Sequence, residues 1–345
     1  MGTYAAIAGL PLLVEGYELE GLSLDVSSDF TRRTTVVHLR GGGEEGVGED
    51  VTYDGDEHAA LQAWRHRLPL AGEHTLDSFS ELLGGLDLFP ERPEREVYVS
   101  YRRWAFESAA LDLALRQAGR SLGDALGREA RPVRFVVSTR ATDLEPLLAL
   151  YPDTRFKLDP TPEWTDALVA QLAALHRVET VDLKGAYHGT VVDNPPDPVL
   201  YRRVAEGFPE AWIEDPGLTP ETDEVLRPHR ERITWDAVIH SVADVEALPF
   251  PPRTLNAKPS RFGSLRALLD FYDHCERQGI GLYGGGQFEL GPGRGQIQYL
   301  ASLFSADGGN DVAPGGYNEP ELRAGLPQSP LPPAPTAPGF RFDVP

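Results

Sequence analysis

The feature that most constrains this chain is a repeat of short apolar runs, each followed by a helical stretch, that begins near residue 131. Seven such runs occur in order: RFVVST, TRFKLD, ETVDLKG, EAWIEDP, RITWDAVI, TLNAKPS and IGLYGGG. Amphipathic segments such as TDALVAQLAALHR lie between them. Alternation of strands and helices is typical of parallel βαβ units. Seven units in one stretch favour an α/β barrel over an open sheet.

The segments before and after this repeat have different patterns. Residues 17–55 alternate apolar and polar side chains, which predicts a β-hairpin or meander, and helix-sized pieces follow up to about residue 127. The tail LPQSPLPPAPTAP is proline-rich. We therefore predict an α+β domain over residues 1–128, a barrel that carries the active site over 129–325, and a C-terminal segment, 326–345, that returns to the first domain.

The composition argues against several classes of partner and location. Asp and Glu number 53 against 32 Lys and Arg, which disfavours nucleic acid or an anionic membrane as a partner. A single cysteine, Cys275, excludes an internal disulfide framework. The apolar run near the N-terminus contains a proline and no basic flank precedes it, so it is not typical of a signal peptide or a membrane span. We expect a cytoplasmic protein that forms a homo-oligomer.

A charged residue stands at or near the end of five consecutive predicted strands. These residues are Lys157, Asp182, Glu214, Asp236 and Lys258, at spacings of 25, 32, 22 and 22 residues. Each spacing is about one βα unit. Because the chemistry of a parallel barrel lies at the C-terminal ends of its strands, we expect the five side chains to meet in one site.

Three neighbouring carboxylates in a partly dry site repel each other, and a hard divalent cation relieves that repulsion. Mg²⁺ prefers oxygen ligands and leaves room for an oxygen of the substrate. The two lysines then flank the metal, and a lysine beside a cation loses proton affinity and can act as a base. Arg155 precedes Lys157 by two residues and therefore shares its strand face, from which we expect it to lower the pKa of Lys157.

The order of these residues resembles the enolase superfamily, and most closely its muconate-lactonizing-enzyme-like subgroup. The resemblance covers nearly the whole chain. The pieces that carry it are 155-RFK-157, 182-DLK-184, 213-IEDP-216, 235-WDAVIHS-241, 257-AKPSRFGSL-265 and 284-GGGQFELGPGRGQ-296.

The resemblance implies a modified (β/α)7β barrel of the TIM type with an α+β capping domain. It implies Mg²⁺ held by Asp182, Glu214 and Asp236, with Lys157 and Lys258 as the acid and base. The implied reaction is removal of a proton next to a carboxylate of a small molecule, through a metal-stabilised enediolate. Elimination, racemisation or epimerisation, and cycloisomerisation all fit this pattern.

Several residues depart from the family's usual pattern or have less specific roles. Arg155 replaces a lysine, and its permanent charge cannot share in proton transfer, so we expect it to contact the substrate instead. Lys184 replaces an asparagine and could hold an anionic group of the substrate. Gln287 and Glu289 follow the seventh strand, where they could either contact the distal end of a substrate or cap the next helix.

Two other classes of function remain open from the sequence. A Schiff-base lyase on a similar barrel would need one buried lysine, but it would leave the three carboxylates without a task. A relative that binds a ligand without catalysis is the other possibility, because Arg155 and Lys184 depart from the catalytic pattern.

Overall fold

The computed structural model describes residues 2–27, 30–187, 192–317, 319 and 321–342, and its N-terminal part combines sheet and helix. An antiparallel sheet has the order β2-β3-β4, and β1 pairs with β5 in a second antiparallel pair. The strands are β1 Pro11–Val14, β2 Gly16–Ser27, β3 Phe30–Gly41, β4 Glu44–Asp50 and β5 Gly72–Thr75. The helices are a 3-10 turn at Thr3–Ala6 and α1 Gly55–Ala63, α2 Leu76–Gly84, α3 Val97–Gln117 and α4 Leu122–Leu126.

Helix α3 is buried along most of its length because it packs against β4. Two glycines of β4 make this close approach possible. A Cβ on Gly48 would lie 2.0 Å from the carbonyl oxygen of Ala105, and one on Gly46 would lie 2.2 Å from that of Ala109. The sheet can therefore rest directly on the helix backbone only where the strand has no side chain.

The second part of the chain is a closed ring of parallel strands. Five strands have the order β10-β9-β8-β7-β6, and β11 pairs with β12. The backbone N–H of Asn256 donates to Trp235, which joins the two groups. Bridges from Gly285 to Asp311 and from Phe135 to Asn310 close the ring. The strands are β6 Val137–Thr139, β7 Phe156–Leu158, β8 Val178–Asp182, β9 Trp212–Glu214, β10 Ile233–Thr234, β11 Thr254–Ala257 and β12 Gly281–Gly284.

Helices follow the strands, as the repeat in the sequence predicted. Many begin at a Ser, Thr or Asp whose side chain accepts a hydrogen bond from the first turn, for example Asp197, Thr219 and Ser264. Helix α11 ends at Gly279 in the left-handed conformation, with φ of 68°. The helices are α5 Glu145–Leu150, α6 Asp166–Ala174, α7 Pro198–Gly207, α8 Pro220–Leu226, α9 Val242–Glu246, α10 Pro259–Phe262, α11 Leu265–Gln278 and α12 Pro292–Phe304, with a 3-10 turn at Arg227–Arg232.

The C-terminal segment runs back to the N-terminal part of the chain. Its strands β13, Pro335–Thr336, and β14, Arg341–Phe342, pair with each other. Asp112 of α3 accepts hydrogen bonds from the backbone N–H of Phe340 at 2.7 Å and from Nε of Arg341 at 2.8 Å. Residues 343–345 lie outside the described residues, and the domain division at residues 128 and 325 stays a prediction.

No helix in the described part of the chain combines the length and the apolar character needed to cross a membrane.

Candidate active site

Polar side chains gather at the C-terminal end of the ring. Lys157 is in β7, Asp182 and Glu214 are the last residues of β8 and β9, Asp236 follows β10 by two residues, and Lys258 directly follows β11. All five side chains are buried. The strands are parallel, so their ends meet on one side of the ring, where the spacing of these residues placed them.

Three buried carboxylates lie at the centre of this end of the ring. Asp182, Glu214 and Asp215 each place an oxygen within 4.8 Å of the others. Asp215 was not selected from the sequence, and it stands in this group in place of Asp236. Its two oxygens accept the backbone N–H groups of Asp236 at 2.8 Å and Ala237 at 2.9 Å. Burial and the charges of Asp236 and Asp182 raise the pKa of Asp215 to about 7.

Lys157 connects two of these carboxylates. Its Nζ contacts Oε1 of Glu214, lies 3.0 Å from Oδ2 of Asp182, and lies 3.7 Å from Oδ2 of Asp311. Burial alone would favour the neutral amine, but the carboxylates of Asp182 and Glu214 outweigh it and raise the pKa of Lys157 well above its ordinary value. Lys157 is therefore a charged ammonium while these carboxylates are free of other cations.

Lys184 supplies a second cation to the same aspartate. Its Nζ contacts Oδ2 of Asp182 and lies 3.7 Å from Oδ1 of Asp159. Burial opposes its charge, yet Asp182 and Asp159 raise the pKa of Lys184. The backbone at Lys184 is left-handed, with φ of 56°. Burial alone would raise the pKa of Asp182. The charges of Lys157 and Lys184 outweigh burial and hold this pKa below its usual range.

Asp236 is held by side chains rather than by backbone. Nζ of Lys258 lies 2.9 Å from its Oδ2, Nη1 of Arg261 lies 2.7 Å from its Oδ1, and the hydroxyl of Tyr187 donates to Oδ2 at 2.8 Å. Burial opposes the charge of Asp236, but Arg261 and Lys258 lower its pKa below the usual range. Asp236 is therefore a carboxylate, with cations on both of its oxygens.

Glu214 also receives a hydrogen bond from a tyrosine. The hydroxyl of Tyr283 donates to Oε2 of Glu214 at 2.5 Å. Burial is the main reason that the pKa of Glu214 is raised; Asp182, Asp236 and Asp215 add to it, and the ammonium of Lys157 opposes it. A cation at this carboxylate would lower the free energy of its charged form.

The charges at this end of the ring suit a divalent cation. Among the described residues, the ion pairs here join five carboxylates to five cations, and Asp215 adds a sixth carboxyl group that accepts only backbone N–H groups. The paired carboxylates are Asp159, Asp182, Glu214, Asp236 and Asp311, and the cations are Lys157, Lys184, Lys258, Arg261 and Arg140. The raised pKa values of Glu214 and Asp215 show that this cluster lacks positive charge, and buried oxygen donors of this kind fit a hard ion such as Mg²⁺.

A cleft of about 790 Å³ opens onto these groups. Its polar lining includes Lys184, Lys258, Asp159 and Asp311. The apolar lining comes from the N-terminal sheet, the segment around α5 and the C-terminal segment: Val26, Phe30, Tyr53, Leu144, Leu147 and Leu322. The cleft can therefore present a polar reacting end and an apolar surface to one small molecule.

The structure corrects the prediction for Arg155. Its Nε donates to Oε2 of Glu179 at 2.9 Å, and Glu179 also pairs with Arg134. Arg155 lies just before β7, which begins at Phe156, and it pairs with Glu179 and not with the carboxylates around Lys157. The pKa of Lys157 is raised and not lowered, so that part of the prediction is wrong. Substrate contact by Arg155 stays a prediction.

Gln287 and Glu289 lie beside the cleft in the loop between β12 and α12. Both are buried. The backbone N–H of Gln287 donates to Oε1 of Glu289 at 2.7 Å, and Nε2 of Gln287 donates to the hydroxyl of Tyr101 at 3.1 Å. Neither side chain caps α12, since Glu49 accepts the N–H groups of Leu290, Gly291 and Gly293 there. Substrate contact by either residue stays a prediction.

Sequence reasoning missed several polar groups that contact the site. Arg261 had the clearest signal, because it follows Lys258 by three residues and α10 brings it back toward the same strand end. Tyr187, Asp215, Tyr283 and Asp311 gave no periodic signal. They lie in loops or at strand positions, where a tyrosine or an aspartate usually serves packing or a turn and takes no part in a reaction.

Comparison with protein families gives two matches, both to domains described as of unknown function. The DUF8230 N-terminal domain matches residues 5–125, and the DUF8230 C-terminal domain matches residues 129–319. Comparison with curated proteins gives no match.

Solved structures with the same fold are members of the enolase superfamily. A member of unknown function from Enterococcus faecalis is 22% identical, with 88% of this chain and 86% of that chain covered and a TM-score of 0.61. Muconate cycloisomerase from Pseudomonas fluorescens is 19% identical, with 97% of each chain covered and a TM-score of 0.65. A dipeptide epimerase from Methylococcus capsulatus, complexed with a Mg ion, is 19% identical, with 97% and 100% covered and a TM-score of 0.67. The fold is therefore a TIM-type barrel with an N-terminal capping domain, as predicted.

Proposed function

We propose that this chain, which belongs to the DUF8230 family, removes a proton from the carbon next to a carboxylate of a small substrate with the help of Mg²⁺. The observation that carries the proposal is the meeting of two lysine amines and buried carboxylates at one end of the ring, beside a cleft that Lys258 lines. Lys157 contacts Asp182 and Glu214, and Lys258 contacts Asp236. Lysines at the ends of β7 and β11 approach the carboxylate cluster from different parts of the ring.

Asp182, Glu214 and Asp236 would hold the ion. Asp215 is nearer to the first two, but both of its oxygens are engaged by backbone N–H groups. Asp236 is held by side chains alone, and these can turn away to free an oxygen. Asp215 then has the task of fixing the backbone that carries Asp236.

The metal, when bound, supplies positive charge that favours ionisation of a carbon acid next to a carboxylate. Lys157 and Lys258 move the proton, one of them as the base. Lys184 lines the cleft and is placed to bind an anionic group of the substrate. Elimination, racemisation and cycloisomerisation all use this set of residues.

The experiment is a screen of carboxylates in D₂O with Mg²⁺, read by NMR. Deuterium at a carbon next to a carboxylate is the expected result, and a chelator should abolish it. Absence of exchange across the library from a folded, metal-binding protein would contradict the proposal. Trapping of a lysine with borohydride and substrate, without a need for metal, would instead indicate a Schiff-base lyase.

Variants of the two lysines test their roles. Lys157→Ala and Lys258→Ala should each lower turnover by roughly 10²–10⁴-fold, the usual contribution of an acid or base. Lys258→Arg is the matched control for charge, because arginine keeps the charge but cannot act as the base. It should be as inactive as Lys258→Ala while it binds Mg²⁺ as the wild type does. A loss below tenfold in both alanine variants would refute the assignment.

A further inference from the structure

Arg294 lies where two cavities of the molecule meet. The catalytic cleft of about 790 Å³ is on one side. On the other side, between the N-terminal sheet, the start of α12 and the C-terminal segment, is a second cavity of about 1010 Å³. Arg294 lines both cavities. A molecule whose reacting end lies among the lysines could therefore reach Arg294 with its other end.

The guanidinium of Arg294 lacks hydrogen-bond partners among the described residues. Its side chain is 15% exposed, and its buried Nε has no acceptor. The nearest carboxylate oxygen, Oε2 of Glu289, is 3.5 Å away and is itself without a hydrogen bond. A buried N–H without an acceptor is unfavourable, so this side chain is set up for an oxygen that comes from elsewhere.

Another buried arginine nearby shows the contrast. Arg32 donates to the carbonyl oxygens of Thr52 at 2.6 Å, Val51 at 2.8 Å, Gln287 at 2.9 Å and Phe288 at 3.1 Å. Its hydrogen-bonding capacity is used inside the protein, where it ties the N-terminal sheet to the loop after β12. Arg294 is close to the same loop, but its donors are left for a ligand.

The local charges leave Arg294 able to bind an anion. Glu49 is committed to the N–H groups at the start of α12, and Oε1 of Glu289 accepts the N–H of Gln287. Arg32 adds a second buried guanidinium near this loop, where it donates to the carbonyl oxygens of Gln287 and Phe288. A planar guanidinium with free donors matches a carboxylate in a bidentate arrangement.

We infer that Arg294 binds a second carboxylate of the substrate, so that the protein acts on dicarboxylates. The inference rests on the proposed function, because the first carboxylate is the one beside the lysines and the metal. Glu289, whose Oε2 lies 3.5 Å from Nη2 of Arg294, is the carboxylate that holds the guanidinium in place.

Binding of unreactive pairs tests this inference without catalysis. 2,2,4,4-Tetramethylglutarate has no proton on the carbon next to either carboxylate, and 2,2,4,4-tetramethylpentanoate replaces one carboxylate with a methyl group. With Mg²⁺ present, calorimetry should show at least tenfold tighter binding of the dicarboxylate to the wild type. Arg294→Leu should lose this preference. Arg294→Lys keeps the charge but lacks the planar pair of N–H donors, so it should retain part of the preference.

Arg140→Leu is the matched control. Arg140 also lines the cleft, but it is 55% exposed and already pairs with Asp159 at 3.4 Å. This variant should keep the preference for the dicarboxylate. Equal binding of the two acids by the wild type, or a preference that survives in folded Arg294→Leu, would overturn the inference. A binding preference without deuterium exchange in any carboxylate would instead count against the proposed function alone.

Discussion

Replacement of Lys184 by asparagine should strengthen Mg²⁺ binding. The ammonium of Lys184 contacts Oδ2 of Asp182, which the proposed function assigns as a metal ligand. A cation and the metal therefore compete for the same carboxylate. Asparagine is a suitable replacement, because it tolerates the left-handed backbone at this position, where φ is 56°.

The size of the effect follows from Coulomb's law. An ion bound to Asp182 at about 2.1 Å would lie within about 5 Å of the Nζ that contacts the same carboxylate. Repulsion between a divalent and a monovalent cation at about 5 Å costs about 1.7 kcal/mol even at the dielectric constant of water, and more at a lower one. Because about 1.4 kcal/mol corresponds to a factor of ten, we expect at least tenfold tighter binding.

Titration calorimetry with Mg²⁺ measures the affinity directly, and a thermal melt gives a second reading. The metal-free Lys184→Asn variant should melt lower than the wild type, because Asp182 loses one of its cations. Added Mg²⁺ should raise its melting temperature by more than it raises that of the wild type. Lys184→Arg keeps the charge and should bind Mg²⁺ close to the wild-type affinity. Unchanged or weaker binding by folded Lys184→Asn would refute the competition between Lys184 and the metal.

Three further predictions concern other parts of the molecule. Gly285→Ala would place a Cβ 2.9 Å from Cε of Lys258, so exchange activity should fall at least tenfold while Mg²⁺ affinity in calorimetry is kept. Burial lowers the pKa of His58, so stability should fall as the pH drops below about 6.5, by up to about 1.4 kcal/mol per pH unit in urea melts. His58→Gln should lack this slope, and the same change at exposed His66 should keep it. Asp236→Asn should weaken Mg²⁺ binding at least tenfold in calorimetry, and wild-type affinity would exclude it as a ligand.

The fold could be predicted because its pattern repeats along the chain. Each βα unit places an apolar strand before an amphipathic helix, and the side chain at the strand end falls at the same height of the ring. Lys157, Asp182 and Glu214 meet for this reason alone. A regular spacing is thus enough to gather such residues, even though they are distant in sequence.

The residues between strands could not be placed in the same way. Asp215 has φ of 48° and bonds the backbone of the next strand end, and no period marks such a position. Arg261 reaches Asp236 only because a one-turn helix follows β11 at once. Local loop geometry decided these contacts.

Arg155 shows that alternation of side chains along a strand does not determine how far along the strand a residue lies. Residues i and i+2 share a face, but they lie about 6.6 Å apart along the strand, which spans much of a short barrel strand. Lys157 is at the end of the ring with the carboxylate cluster, and Arg155 pairs with Glu179 nearer the other end. Alternation alone could not show that Arg155 pairs with Glu179 and not with the carboxylates around Lys157.

The ion pairs around Arg155 and those around Lys157 differ in burial and in charge balance. Around Arg155, two arginines with exposed fractions of 40% and 46% share Glu179, and solvent screens what the pairs leave uncompensated. Around Lys157 the groups are almost wholly buried, and carboxylates outnumber cations. A buried excess of charge costs free energy that the fold alone does not recover. The raised pKa values of Glu214 and Asp215 show that protons would otherwise relieve this excess, and a bound divalent cation would take their place. For this reason the proposed function assigns the metal and the chemistry to that end of the barrel.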